Sequence, residues 1–259
     1  MPELPEVETL CRQLNGIIPG EEILAVEILD SRLGEAPSLI GERVASVYRR
    51  GKWMEIEMEN GLTAALHLRM SGRLLWQTGG APLPPHTRLA ISFPAGRLLL
   101  IDPRRFAVFC TRPADMAPAS LANPLETIPA RRLREIAAGR RLPVKSFLMD
   151  QRFIAGIGNI YACEILFKAV IDPRRPAGSL TADEWRKVEK AAAVVLRRAV
   201  ACRGTTVSDW RDLFGMSGTN QEHLEVYSRA GEPCRCCGGR IERMTMSGRG
   251  TWFCPACQK

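Results

Sequence analysis

Apolar positions along the chain fall into successive regimes. In residues 5–14, PEVETLCRQL, Val7, Leu10, Cys11 and Leu14 recur at helical spacing behind a proline suited to a first turn, which predicts a short amphipathic helix. From residue 23 to residue 110 the period shortens. Brief apolar runs such as ILAVEIL, WMEIEM, LTAALHL, LAISF and RLLLI are broken by Gly, Pro and Asn, which predicts antiparallel strands in a sandwich or barrel. Helical periodicity then appears over 130–138, 144–151, 159–169 and 181–202, the last opened by the capping-box pattern Thr181-x-x-Glu184.

Pro113, Pro118, Pro124 and Pro129 separate the strand regime from the helical one, as an inter-domain linker would. The expected organisation is an α+β multidomain chain. A β domain with an N-terminal helix covers 1–115, a linker 116–130, a helical domain 131–225 and a compact cysteine-rich tail 230–259. With 46% hydrophobic residues in 259, the chain has enough apolar surface to bury real cores. No apolar run approaches the roughly 18 residues needed to cross a bilayer, and the acidic start lacks the pattern of a secretory signal. The expected compartment is the cytoplasm.

Charge changes this picture in one respect. The net charge of +8 is uneven: residues 1–130 hold 13 Lys+Arg against 15 Asp+Glu, and residues 131–259 hold 23 against 13. Thirty of the 36 basic residues are arginine, whose planar fork grips phosphate oxygens in pairs. A polyanion is one natural partner; a solvated basic face gives the same count.

Nine cysteines without a secretory signal argue against a disulfide scaffold. Cys234-x2-Cys237 and Cys254-x2-Cys257 lie 16 residues apart, a two-knuckle pattern whose four sulfurs close a tetrahedron around one structural zinc ion. Cys236 has the wrong spacing to replace a ligand, and His67, His86 and His223 have no ligand-spaced partners. Between the knuckles, Arg240, Arg243 and Arg249 with Trp252 and Phe253 suit a nucleic-acid backbone. A protein-docking ribbon would look the same.

Other stretches are ambiguous one at a time. Asp102-Pro103-Arg104-Arg105-Phe106 sets two guanidinium groups beside an aromatic, yet alone it reads as a turn with a core Phe and two surface arginines. Met70, in HLRMSG, reads as core filler. Gly156-Ile157-Gly158-Asn159 would suit a phosphate at a helix start or a tight helical corner. Lys52 is the only lysine in the first 144 residues and reads as a catalytic cation or a snorkelling surface lysine.

Taken together, MPELPEVET, the lysine in RRGKW, HLRMSG, DPRRF, KSFLMDQRFIAGIGNIYACEILF and the CxxC-x16-CxxC tail resemble the formamidopyrimidine-DNA glycosylase family, in order and from one end of the chain to the other. The resemblance implies an N-terminal β-sandwich, a helix–two-turn–helix domain and a zinc finger, in a monomer that holds double-stranded DNA between its lobes. It also implies a bifunctional enzyme that removes oxidised purines, 8-oxoguanine and formamidopyrimidines, and nicks the strand at abasic sites.

The site residues follow from the same resemblance. Removal of Met1 leaves Pro2 with a free secondary amine, and an α-amino group titrates near ~8, so part of it is nucleophilic at neutral pH. Pro2 is then the nucleophile and Glu3 the acid, with Glu6 orienting them. Lys52 and Arg249 match the proton donors for β- and δ-elimination. Met70, Arg104 and Phe106 match the set that fills the gap left by an extruded base, and His86, Arg140, Lys145 and Asn159 match contacts to the DNA backbone. The stretch Gly215–Asn220 departs from the family pattern, which leaves the preferred lesion open at Asn220. A relative specialised for oxidised pyrimidines, of the endonuclease VIII branch, is disfavoured by PELPE where that branch has PEGPE; a non-catalytic paralogue is disfavoured by the intact Pro2-Glu3 pair.

Overall fold

The structure, a computed structural model, describes residues 2–34, 36–111, 123–125 and 129–259. Most of the expected linker 116–130, and the Met1 on whose removal the Pro2 amine depends, lie outside the described residues. Helix α1 (Leu4–Asn15) forms where the apolar spacing predicts it, with Leu4, Val7, Leu10, Cys11 and Leu14 buried. Glu3 is its extended N-cap, and the Glu6 carboxylate accepts the Glu3 N–H at 2.8 Å to close a capping box.

Eight strands follow: β1 (Ala25–Ile28), β2 (Val44–Arg50), β3 (Trp53–Met58), β4 (Thr63–His67), β5 (Arg73–Gln77), β6 (Thr87–Phe93), β7 (Gly96–Ile101) and β8 (Val108–Cys110). They make two antiparallel four-stranded sheets, ordered β1-β6-β7-β5 and β2-β3-β4-β8. The arrangement is a sandwich rather than a closed barrel. Val47, Met54 and Leu66 of one sheet share a core with Leu74, Ile91 and Leu100 of the other and with Leu10 and Leu14 of α1.

The described chain divides into two compact units, Met1–Ala119 with Cys202–Thr219, and Ser120–Ala201 with Asn220–Lys259. In the first unit, the late segment 202–219 is stitched onto α1. Gln13 donates to Asp212 at 2.9 Å and accepts the Leu213 N–H at 3.0 Å, while Leu213 itself enters the sandwich core.

The second unit holds α2 (Ala130–Ala137), α3 (Val144–Leu148), α4 (Asn159–Lys168), α5 (Ala182–Ala201) and the hairpin β9 (Glu242–Met246) to β10 (Arg249–Phe253). The capping box that opens α5 is present, with Thr181 N–H donating to Glu184 at 2.8 Å and Glu184 N–H to the Thr181 hydroxyl at 3.3 Å. Helix α3 stops at Leu148, three residues before its periodicity predicts. Its apolar pattern runs on, but the Asp150 side chain accepts the Arg152 N–H at 3.0 Å and diverts the backbone into a turn.

Glu164 of α4 is a buried carboxylate that accepts the backbone N–H groups of Glu225, Val226 and Tyr227 at 2.9, 3.0 and 2.9 Å. Burial pushes its acidity below that of an ordinary glutamate, and the three donors oppose that shift. Glu164→Ala leaves the buried Val226 N–H and two part-buried N–H groups without their acceptor, so a loss of about 2 kcal/mol is expected, read as a lower urea midpoint.

Candidate active site and nucleic-acid interface

In the first unit the site is built outward from the start of α1. Pro2 is half-buried and Glu3 buried. The second oxygen of Glu6 accepts the Thr205 N–H at 2.8 Å, so one carboxylate ties the residue after Pro2 to the segment that returns 199 positions later. Gly204, at φ +83°, leaves no room there for a side chain: a Cβ would stand 2.8 Å from the Glu6 oxygen.

Lys52 occupies the turn between β2 and β3 and is buried. Arg49 binds that turn to the helix, its Nε donating to Glu8 at 3.0 Å and its Nη1 to the Gly51 carbonyl at 2.9 Å. Trp53 pairs with His67 across β3 and β4, so the Lys52 turn and the turn that carries Met70 leave the same end of one sheet. His67 Nδ1 accepts the Arg69 N–H at 3.1 Å, which requires that nitrogen to be unprotonated. Burial, with the nearby Arg69 and Lys52 cations, lowers the His67 pKa to about 4.

Two crossovers between the sheets place the next group. The connection β4 to β5 carries Met70 from one sheet to the other, and β7 to β8 carries Arg104 and Phe106 back again. Because β4 pairs with β8 and β5 with β7, the two connections run side by side. Met70 is 56% exposed and Phe106 44%, against their readings, residue by residue, as core filler and core aromatic. Arg104 lies 4.6 Å from the Phe106 ring centroid.

The second arginine of the motif turns the other way. Arg105, at φ +59°, donates to Asp30 at 2.6 Å and holds that carboxyl down at about pKa 2. His86, exposed at φ +67°, stands beside this loop, its carbonyl accepting the Asp102 N–H at 3.0 Å.

In the second unit, Lys145 is only 1% exposed and its ammonium donates to Asn159 at 2.7 Å, the Thr251 hydroxyl at 2.7 Å and the Gly250 carbonyl at 3.1 Å. Asn159 donates to the same carbonyl at 3.0 Å. These bonds join α3 and α4 to the β9–β10 hairpin one residue past Arg249. That hairpin turns through Ser247 and Gly248, both at positive φ, and leaves Arg249 exposed directly after the turn. A cleft of about 300 Å³ beside it is lined by Lys145, Ser146, Arg152 and Arg249, among others. Arg140 stays exposed, its guanidinium 4.3 Å from the Phe153 ring centroid. The glycine corner before α4 is built by Gln151, which accepts the Gly156 N–H at 2.9 Å and donates to Ile157 at 2.7 Å.

The tail gathers Cys234, Cys237, Cys254 and Cys257 with every sulfur within 4.8 Å of the others. A tetrahedron with zinc–sulfur bonds of about 2.3 Å has sulfurs about 3.8 Å apart, and two of the pairs here stand at 3.9 and 3.5 Å. The donor set fits one structural zinc. The finger aromatics serve packing: Phe253 is buried and half-buried Trp252 lies 4.4 Å from Tyr227, while Arg240, Arg243 and Arg249 are exposed. Cys254 and Val226 share a cluster with Cys163 of α4, which seats the finger on its own unit.

Sequence reasoning missed the residues that hold these groups: Asp30, Ser71, Asp102, Thr205 and Thr251. Only Asp102 left a signal, as an Asp two residues before a loop N–H that it can cap.

Two outcomes follow from this geometry. Folded His67 stays neutral where an unfolded histidine takes a proton, so it destabilises the fold progressively as pH falls from about 6.5 to about 4; in thermal unfolding across that range, His67→Gln should show a flatter pH dependence than the wild type. Metal analysis should return about one zinc per chain, and Cys254→Ser should lose it together with the circular-dichroism signal of the hairpin.

Comparison with known proteins accords with this architecture. The chain matches the family models for the formamidopyrimidine-DNA glycosylase N-terminal domain over residues 1–109, the formamidopyrimidine-DNA glycosylase H2TH domain over 117–210 and the zinc finger found in FPG and IleRS over 231–259. It is 41% identical to the formamidopyrimidine-DNA glycosylase of Roseiflexus sp. (strain RS-1), with all of both chains covered. It is 42% identical to that of Moorella thermoacetica, over 94% of each. Among solved structures it is similar to a Lactococcus lactis FPG variant in complex with DNA containing Fapy-dG, with a TM-score of 0.91 at 30% identity over 100% of both chains. It is also similar to Lactococcus lactis Fpg with DNA containing an abasic site, with a TM-score of 0.90 at 30% identity over 99% of both. With matching models along its length and relatives this similar end to end, the chain belongs to the formamidopyrimidine-DNA glycosylase family.

Proposed function

We propose that this protein is a bifunctional DNA glycosylase and abasic-site lyase that excises oxidised purines, 8-oxoguanine and formamidopyrimidines, from duplex DNA. The observation that carries the reading is the pairing of Pro2 with a buried Glu3 whose backbone is held by Glu6 and, through it, by Thr205. A nucleophile and an acid on adjacent residues need that rigidity to meet one sugar.

Once Met1 is removed, the Pro2 nitrogen attacks C1′ of the damaged nucleotide as the glycosidic bond breaks; the base departs with its bonding electrons and takes up the proton that the Pro2 nitrogen loses. Glu3 gives its proton to the sugar ring oxygen, the ring opens and a C1′ iminium cation results. That cation acidifies the C2′ protons, so loss of one expels the 3′ phosphate by β-elimination, and a second elimination expels the 5′ phosphate. Lys52 and Arg249 serve these two steps, as proton donors or by holding the departing phosphates. Met70, Arg104 and Phe106 occupy the space the base leaves, and His86, Arg140, Lys145 and Asn159 serve the DNA backbone. The ordered site of one structural zinc keeps Arg249 in place through the hairpin. No helix among the described residues is long and apolar enough to cross a membrane, which accords with a cytoplasmic repair enzyme acting on chromosomal DNA.

Borohydride reduction in the presence of an 8-oxoguanine duplex should trap a covalent protein–DNA adduct. No adduct from a chain shown to begin at Pro2 would eliminate the mechanism, and faster processing of a thymine glycol duplex would transfer the assignment to oxidised pyrimidines. Glu3→Gln should slow base excision by about a hundredfold or more while leaving adduct formation with a preformed abasic site less affected.

A further inference from the structure

We propose that Asp102 is a positioning residue for base extrusion, holding Met70, Arg104 and Phe106 as one wedge. The inference rests on the reading above that these three side chains enter the duplex. The Asp102 carboxylate is fully buried and accepts four hydrogen bonds, which fill its lone-pair positions. One oxygen takes the Ser71 hydroxyl at 2.6 Å and the Arg104 N–H at 3.1 Å; the other takes the Phe106 and Ala107 N–H groups at 2.7 Å each. Burial alone would raise its pKa, but the Ser71 hydroxyl and the three backbone donors outweigh burial and keep it ionised.

Every one of those donors belongs to a segment that carries a wedge residue. Ser71 follows Met70, and the backbone donors belong to Arg104, Phe106 and the residue after it. The wedge side chains are exposed and stand outside the buried core, Arg104 against Phe106, so the core does not set where they point. Their direction comes from the backbone beneath them. Arg105, with a left-handed backbone, is turned to Asp30, whereas the Arg104 guanidinium lies over the Phe106 ring. The two crossovers meet at one carboxylate, and a shift of either relative to the other would separate Met70 from Phe106.

Extrusion of a paired base needs the wedge, whereas a preformed abasic site has no base to extrude. The discriminating quantity is therefore a ratio, the rate of excision from an 8-oxoguanine·cytosine duplex over the rate of nicking at an abasic site in the same sequence. Asp102→Asn keeps the size but replaces one acceptor with an amide that faces N–H donors, and should lower that ratio by about tenfold or more. Ser71→Ala, which frees only the Met70 turn, should lower it in the same direction, and Ser71→Thr, which keeps the hydroxyl, should restore it. Thermal unfolding of each variant accompanies the assay.

General destabilisation lowers both rates together, so an unchanged ratio in folded Asp102→Asn and Ser71→Ala overturns the inference. If Asp102→Asn does not fold, the Ser71 pair decides alone. Arg104→Ala and Phe106→Ala separate this failure from failure of its premise: a lowered ratio there with no change in the Asp102 and Ser71 variants rejects Asp102 alone. An unchanged ratio in all of them, or a wild-type chain that nicks abasic DNA but removes no paired lesion, rejects the wedge and the inference with it.

Discussion

The Glu6 carboxylate has two backbone donors to satisfy, and the rest of the candidate site depends on its reaching both. One is the N–H of Glu3, two residues from the start of the chain; the other is the N–H of Thr205. A buried carboxylate is costly unless hydrogen-bonded, and a buried N–H without an acceptor costs about 1–3 kcal/mol. The two requirements are met by the same atoms, so the chain terminus, ordinarily a place of disorder, is fixed to the body of the unit.

The same device recurs at each place where irregular backbone must hold a shape. Asp102 gathers the two crossover loops, Glu164 gathers residues 225–227, and Asp212 accepts the Phe214 and Met216 N–H groups at 3.0 and 2.9 Å. Helices and sheets satisfy their own N–H groups, but loops do not. A short acidic side chain with free lone pairs supplies the missing acceptors and, because it is rigid and buried, sets the loop's conformation. Asp102 lies beneath the exposed Met70, Arg104 and Phe106, and Glu164 beneath the seat of the finger. Arginine takes the complementary part: Arg49 is buried on Glu8 and Gly51 and Arg105 is held from the surface by buried Asp30, while Arg104 and Arg249 are exposed and bind no carboxylate among the described residues.

The second unit applies a different constraint. A tail of this size has too little apolar surface to fold by burial alone, so its order derives from the zinc tetrahedron and from docking against α4. The second knuckle is tied down by Gln258, which accepts the Cys254 N–H at 2.9 Å and donates to the Ile171 carbonyl at 2.8 Å. Lys145 then fixes the far end of the hairpin through Gly250 and Thr251. Metal at one end and a buried ammonium at the other leave Arg249 little freedom except in its own side chain.

Much of this was legible in the chain itself. Val7, Leu10 and Leu14 declare α1, the short runs declare the strands, and Thr181 and Glu184 declare the start of α5, because each depends on residues within a few positions of one another; the zinc site is declared by two CxxC turns whose internal spacing is itself the signal. The end of α3 was not legible, since Asp150 competes for a backbone that its apolar pattern would continue as helix. Nor did local pattern reveal that Phe106 and Met70 are exposed, that Arg105 pairs with Asp30 while Arg104 lies over the Phe106 ring, or that 202–219 packs with the β unit. Those outcomes were decided by tertiary structure. They rest on acceptors supplied from 31, 75 and 199 residues away, and a hydrogen bond over such separations exists only after the sheets and α1 have brought its two ends together.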